Sequence, residues 1–369
     1  MKFLLIAFVL LMPALSAAQE VHQELKETVR AEVLEVLSEH ERDIVGTDAT
    51  AVVQEVRVHV LEGEKKGEVA TFENDLAVLE AGDSIYINRL LSIEGIEYYT
   101  FKDVDRRLPL ITLGLLFVAV LLLFSGMHGI RALASLLGSV LVIFYALVPL
   151  LLAGYSPVLV SIGVSAIMLA LVLYFTHGFT ARTTIAFVGT LGAVICTGII
   201  ASIWVKVSHL TGLSSDESIY LNFSTKGALD FSGLLLGSII IGVLGVLDDV
   251  AVTQASVVAE LKRANASFGI RELYVRAIRV GRDHIGSLVN TLALAYIGVS
   301  LPLVLLLAAA GSDITLSLNQ EIVAAELIRT LVGSIGLILA VPFTTLVAAW
   351  WYDTHDARTH EDHGHTPAH

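Results

Sequence analysis

The chain has 369 residues, of which 55% are hydrophobic, with a mean hydropathy of +0.76. That composition excludes a single soluble domain and fits several membrane spans beside a modest polar region. A formal charge of −13 argues against a nucleic-acid partner, and the lone Cys196, in an apolar run, excludes an intrachain disulfide.

The first 18 residues read as a secretory signal peptide. Lys2 precedes a short apolar core from Phe3 to Leu11, and a small-x-small site ends at Ala18. A retained signal anchor is the alternative. Either form exports the polar segment behind it. Residues 19–107 carry 21 acidic and 10 basic side chains, so most of the negative charge lies there. Thr28 to Leu37 and Ala51 to Val60 alternate apolar and polar, and Gly67–Phe72, Asp83–Asn88 and Glu97–Lys102 read as further strands. Gly63, Gly67, Gly82 and Gly95 mark the turns. Five short strands predict a small extracytoplasmic β-domain, a barrel or sandwich with an OB-like barrel as one form. It shows no nucleophile or metal-ligand spacing, so it reads as a binding or assembly domain that could dock a protein partner.

Residues 108–353 read as a seven-span helical membrane domain, with the lipid bilayer as its first partner. Apolar segments run at about 108–125, 131–153, 157–175, 183–206, 229–254, 284–310 and 328–351, each near the ~20 residues a span needs. Arg131, Arg182 and the group Lys262, Arg263, Arg271, Arg276, Arg279 and Arg282 fall on connections that an exported N-terminal domain places inside. This bias agrees with the signal peptide and predicts a bacterial cytoplasmic (inner) membrane protein with its C-terminus in the cytoplasm. Lys262 to Asp283 is amphipathic and is expected to lie along the inner surface. Residues 354–369, with five histidines, read as a disordered cytoplasmic tail. A solvated tail is the plain reading and a loosely held metal ion the alternative; no other metal site is expected.

The chemistry concentrates in the fifth and sixth segments. Asp248 and Asp249 interrupt an apolar stretch, where a carboxylate at the centre of a span costs ~2.5–3.5 kcal/mol on insertion scales. Such a group usually faces a bundle interior or a wet cavity. At helical spacing Asp249 shares a face with Ser238, Gly242, Gly245, Thr253, Ser256 and Glu260, a small and polar seam. The corresponding neighbours of Asp248 are mostly apolar, which makes it the more peripheral acid. Gly242, Gly245 and Gly286 are candidate helix-packing positions. In the sixth segment Asp283, Gly286 and Asn290 share a face, so Asp249, Thr253, Asn290 and Asp283 are expected to meet in one polar cavity. Arg282 either neutralises an acid there or anchors the inner surface. Gln254 and Thr291 read as helix–helix hydrogen bonders. A purely structural acid is the alternative for Asp249.

The order of motifs resembles the YibE/F family of bacterial multi-spanning proteins. The strongest pieces are Gly242-Val-Leu-Gly245-Val-Leu-Asp248-Asp249-Val250-Ala251, and Gly281-Arg282-Asp283 with Asn290-Thr291-Leu-Ala-Leu-Ala-Tyr296. Gly63-Glu-Lys-Lys-Gly67, Gly126-Met-His-Gly129, Val148-Pro149 and His177-Gly178 support them. The family's Asp-Val-Ala falls on Asp249 to Ala251, while Asp248 departs from the usual apolar residue. The resemblance implies a permease without indicating its substrate. A looser similarity to SecF, of the RND superfamily, rests on an acid-ending span, then an arginine-rich helix and an Asn-Thr pair.

Two functions are expected. One is an ion-coupled secondary transporter or energised export accessory, with a proton or sodium as the coupling ion. The other is a non-transporting envelope-assembly protein. No Walker motif or cofactor-binding segment appears, and an enzyme is not expected. Gly245-Val-Leu-Asp248 and Tyr352-Asp353 echo intramembrane aspartyl protease motifs, but in reversed order and with the wrong spacing.

Overall fold

The computed structural model describes residues 26–44, 46, 49–91, 96–309 and 314–361. The signal segment, the Gly95 turn and His363, His365 and His369 lie outside them. The chain forms two compact units, Met1–Ala119 and Val120–His369.

The first unit is built on an antiparallel sheet of β1 (Lys26–Asp43), β2 (Thr50–Val60), β3 (Val69–Asn74), β4 (Ser84–Leu91) and β5 (Glu97–Val104), in the order β3-β2-β1-β4-β5. The alternation read from sequence sets the core: Val29, Ala31 and Val33 of β1 pack with Val56 and Val58 of β2, Phe72 of β3 and Ile85 and Ile87 of β4. Edge strands β3 and β5 touch, so the sheet curls into a half-barrel. Buried Gln54 holds the loop that covers it. Its Oε1 accepts from the Leu79 N–H at 2.7 Å, and its Nε2 donates to the Leu79 carbonyl at 3.2 Å and to Glu39 Oε2 at 2.8 Å. Positive φ at Gly63, Gly67 and Gly82 confirms the turns that glycine permits.

Arg89 ties β4 to its neighbours. It donates to Glu97 at 2.6 Å and to Glu27 and Glu64 at 3.0 Å each. The guanidinium holds the Glu97 carboxyl below the ordinary glutamate range. Arg107 likewise holds Asp105 down to about 2.

The second unit is helical. Helix α1 (Arg107–Val142), whose start belongs to the first unit, passes through a π-turn (Ile143–Leu147) into α2 (Val148–Leu152). Then come α3 (Pro157–His177), α4 (Ala181–Val207), α5 (Asp216–Ser224), α6 (Phe231–Ala264), α7 (Ile270–Val299), α8 (Leu301–Ala309), α9 (Ile314–Leu318) and α10 (Glu321–Glu361). Five helices are long and apolar enough to span, or six if α7 and α8, bent by 66°, count as one broken span. The seven expected segments become fewer because 108–125 and 131–153 share the single run Arg107–Leu152. Gly126, with φ 52° and ψ −131°, breaks that run into two helical pieces.

Two further expectations are corrected. The separate surface helix within Lys262–Asp283 does not form. Its residues from Ile270 onward are the first half of α7, and Leu273 and Ala277 are fully buried in the bundle. Its apolar stripe therefore packs on protein. The stretch expected to be irregular from residue 354 continues α10 as far as Glu361.

Helices α4, α6 and α10 form the centre. Small residues allow their backbones to approach. A Cβ at Gly189 of α4 would lie 2.7 Å from the Thr344 Cα of α10, and one at Gly333 of α10 would lie 3.0 Å from Val243 of α6. Buried Gln254 of α6 links two neighbours, donating to the Ala277 carbonyl of α7 at 2.9 Å and to Thr345 Oγ1 of α10 at 2.7 Å.

Two outcomes are expected. Glu97 titrates below its ordinary value, so the Arg89 cluster stabilises fully above that value and loses its contribution as pH falls through the lowered one. Hydrogen exchange on the intact protein, corrected for intrinsic rate, should show β4–β5 protection falling below about pH 4.5. Arg89→Gln should remove that pH dependence; an unchanged profile refutes the assignment. Gly189→Leu overpacks a backbone contact and should destabilise by about 1–3 kcal/mol in detergent denaturation. Gly245→Ala, with no heavy atom within 4 Å of its added Cβ, should be neutral or slightly stabilising.

Candidate functional site

Helix α6 has 34 residues, or about 51 Å at 1.5 Å per residue, and Asp248 stands close to its midpoint. Consecutive helical residues point about 100° apart, so Asp248 and Asp249 cannot share one environment.

Asp248 is half-buried and lines a cavity of about 340 Å³ among α1, α3 and α6. Ser135 and Ser139 of α1 and Met168 and Leu169 of α3 complete its wall, with Gly242 and Gly245 opposite. Ser139 is 7% exposed, and its hydroxyl has no partner among the described residues. Ser135 Oγ donates to the Ala132 carbonyl at 2.8 Å and accepts from Thr176 Oγ1 at 3.5 Å. Asp248 Oδ1 accepts from the Asp249 N–H at 3.0 Å.

Asp249 is exposed and lines a smaller cavity of about 100 Å³ with Thr253, Gln254, His284 and Leu288. The expected ranking of the two acids is therefore inverted. The apolar helical neighbours of Asp248, among them Leu244, Ala255 and Ala259, form the face that packs, and they carry Asp248 inward. The polar seam of Asp249 is the open side of α6: Ser238, Gly242, Gly245, Thr253 and Glu260 are all exposed along it. At its far end Ser256 lines a third cavity, of about 520 Å³, with His177, Arg182 and Arg263. Glu260 pairs with Arg263 at 2.7 Å and Arg182 at 3.8 Å beside it.

Asp249 and Thr253 come together as expected, but Asn290 and Asp283 do not join them. Helix α7 buries Leu273, Ala277, Gly281 and Leu292, and the same side brings His284 and Leu288 to Asp249. Arg282, Asp283, Gly286 and Asn290 fall on the other side and are exposed. Arg282 makes no ion pair with any described residue. Of the three packing glycines, Gly242 has a close neighbour, since its Cβ would lie 2.8 Å from the Tyr296 hydroxyl. Gly245 and Gly286 have none within 4 Å. Asp353, the second acid of the protease-like pair, lies 3.7 Å from buried Lys262.

Sequence reasoning missed His284, the α1 serines and one ion pair. Glu326 and Arg329 pair on α10, and Arg329 also reaches Ser238 Oγ of α6 at 3.4 Å. The available signal is an acid–base pair at i, i+3 beside an apolar run. Apolar length alone hides it, because it opens the seventh span at 328, whereas α10 starts at Glu321.

Chemically, the site offers two carboxylates and several hydroxyl oxygens in small cavities. Hard oxygen donors of this kind suit a proton, hydronium or a small cation. The profile of the YibE/F-like protein family matches residues 113–354, which include both carboxylates, the α1 serines, Tyr296 and the Glu326–Arg329 pair. No curated protein and no solved structure matches the chain. With about two thirds of its length matched, the chain belongs to the YibE/F-like protein family.

Proposed function

We propose that this protein is an ion-coupled transporter, or an energised accessory to export, in the bacterial inner membrane, with Asp248 and Asp249 as its coupling carboxylates. One observation carries the reading: two adjacent carboxylates midway along a spanning helix open to separate cavities on different sides of that helix. The unpartnered Ser139 hydroxyl beside Asp248 supports an oxygen-liganded proton or cation there. Coupling of this kind needs neither a cofactor nor enzymatic chemistry. The half-barrel contributes a docking or substrate-handling module, and its strand order, with β3 beside β5, suits an OB-like barrel.

The same reading puts the N-terminal domain outside and the C-terminus inside. The run Arg107–Leu152 has 46 residues, about 69 Å of helix, against a hydrocarbon core of about 30 Å. Its two pieces, divided at Gly126, are read as separate crossings, which gives seven. A fluorescent-protein fusion after Ala368 should glow and a periplasm-dependent phosphatase fusion should be silent. An active phosphatase would mean an even number of crossings.

The coupling role is tested in proteoliposomes loaded with a pH-sensitive dye. Asp248→Asn should reduce ion-driven proton flux to background while insertion stays normal, and Asp249→Asn should lower it less. Flux in both variants equal to wild type would make the acids structural and favour an envelope-assembly role.

A further inference from the structure

A cavity of about 770 Å³ lies where α6, the α7–α8 bend and α10 converge, and neither coupling carboxylate lines it. Its volume falls within the roughly 300–1,000 Å³ of small-molecule sites. Its walls are mainly apolar, with Phe231 and Leu234 of α6, Val299 and Leu303 beside the bend and Ile322 of α10. Ser300 and Pro302 also line it, so the 66° break between α7 and α8 opens onto it. A broken helix leaves terminal backbone groups for a neighbour or a ligand to satisfy, and broken spans of transporters commonly line the substrate site. Glu326 and Arg329 face the same space, about 8 and 12 Å inside the start of α10, with side chains 29% and 24% exposed. Arg329 is incompletely used. Its Nη1 donates to Glu326, its Nη2 makes a long 3.4 Å contact with Ser238 Oγ, and its Nε has no partner among the described residues. Nε and Nη2 form one edge of the guanidinium, which can hold a carboxylate through two parallel bonds. The remaining charge on the wall, Glu217, turns its carboxylate onto its own N–H and the Ser215 hydroxyl at the start of α5.

We propose that this cavity is the substrate site and that it takes an apolar α-amino acid or a similar amphipathic zwitterion, with the ligand carboxylate on Arg329, its ammonium on Glu326 and its side chain against the apolar walls. An anion alone would draw Arg329 away from Glu326 and strand a partly buried carboxylate; a cation alone would strand the guanidinium. A zwitterion answers both charges and keeps the site neutral. Ammonium and carboxylate on one carbon also suit an acid and a base one helical turn apart. The apolar walls then gain from burying an apolar side chain. Calling the ligand a substrate rests on the transport reading, whereas its binding is measured without transport.

The test is calorimetric titration of the full chain in detergent at about pH 6, where an α-amine is protonated. Two series of ligands share a body and differ in charge. One is phenylalanine, phenylalanine amide and 3-phenylpropanoate; the other is leucine, leucine amide and 4-methylpentanoate. In at least one series the zwitterion should bind about tenfold or more tightly than either singly charged analogue. Ser238→Phe fills the cavity and should lose that binding while the protein still elutes as one species; if it does not fold, Ser300→Phe takes its place. Glu326→Gln should reverse the ranking towards the anion, and Arg329→Gln towards the amide, which a purely structural ion pair would not do. If neither of these two variants folds, the wild-type ranking and the cavity-filling variant decide. No binding in either series, a singly charged analogue that matches the zwitterion, or undiminished binding in the folded cavity-filling variant would overturn the proposal. Zwitterion binding without uptake driven by a proton or sodium gradient would leave the site standing and reject the transport reading. Proton flux that depends on Asp248, with no zwitterion bound, would do the reverse.

Discussion

The helical unit has to accommodate two carboxylates next to each other on one spanning helix. Neighbouring side chains on a helix diverge by about 100°, so no single polar partner can serve both. Helix α6 is then polar-accessible on two sides, although it also packs against α3, α4, α7 and α10. The structure meets this by restricting tight packing to one arc. Val243, Leu247, Ala251 and Val258 are fully buried and face the bundle, while Asp248 borders that arc and Asp249 stands on the open side of the helix. Asp248 gains a cavity roofed by α1 and α3, and Asp249 gains the groove beside α7.

The tight arc depends on glycine and threonine rather than on large apolar side chains. Between lipid-embedded helices there is little hydrophobic drive to associate, and close backbone approach supplies dispersion instead. Gly189 against Thr344 and Gly336 against Thr197 are each too close for a Cβ, and Gly333 packs tightly against Val243. Gln254 then locks the register by bonding α7 and α10 together, with both of its contacts buried. A lost partner there would leave a buried amide unsatisfied, at a cost of about 1–3 kcal/mol. The acids thus hang from a fixed frame while the first apolar helix, Arg107–Leu152, has none of its most apolar window buried.

Much of this was legible in the sequence, unevenly. The β-domain was, because a period of two and glycine turns are local signals: all five expected strands form, with β1 extended at both ends and β3, β4 and β5 running a few residues further. The existence of α6 and its acids was legible too, since charge inside an apolar run needs no tertiary information. Which acid is buried was not. A helical wheel sorts residues into faces but cannot say which face meets protein; assigning the polar face to the interior borrowed a rule for wet cavities, and here the small apolar face is the one that packs. The bend at Ser300 and the early start of α10 were hidden by uniform hydropathy, which marks apolar length but not where a helix begins.

The fate of Asn290 shows how strongly register constrains such inferences. With Tyr296 over Gly242 and Gln254 on Ala277, the rotation of α7 about its axis is set. Residue 290 is then turned away from residue 249, because 284 and 288 already occupy the contacting side. Rotating Asn290 inward would carry buried Gly281 outward, and Gly281 sits where a Cβ would come within 2.7 Å of Val341 and 2.9 Å of Gln254. A Cβ there would push back the Val341 and Gln254 side chains through which α10 and α6 meet α7. The polar motif of α7 is therefore subordinate to its glycine: the contact that admits no side chain fixes which side chains can reach the carboxylates. On α10, Arg329 pairs with Glu326 one turn away and also reaches Ser238 of α6 at 3.4 Å.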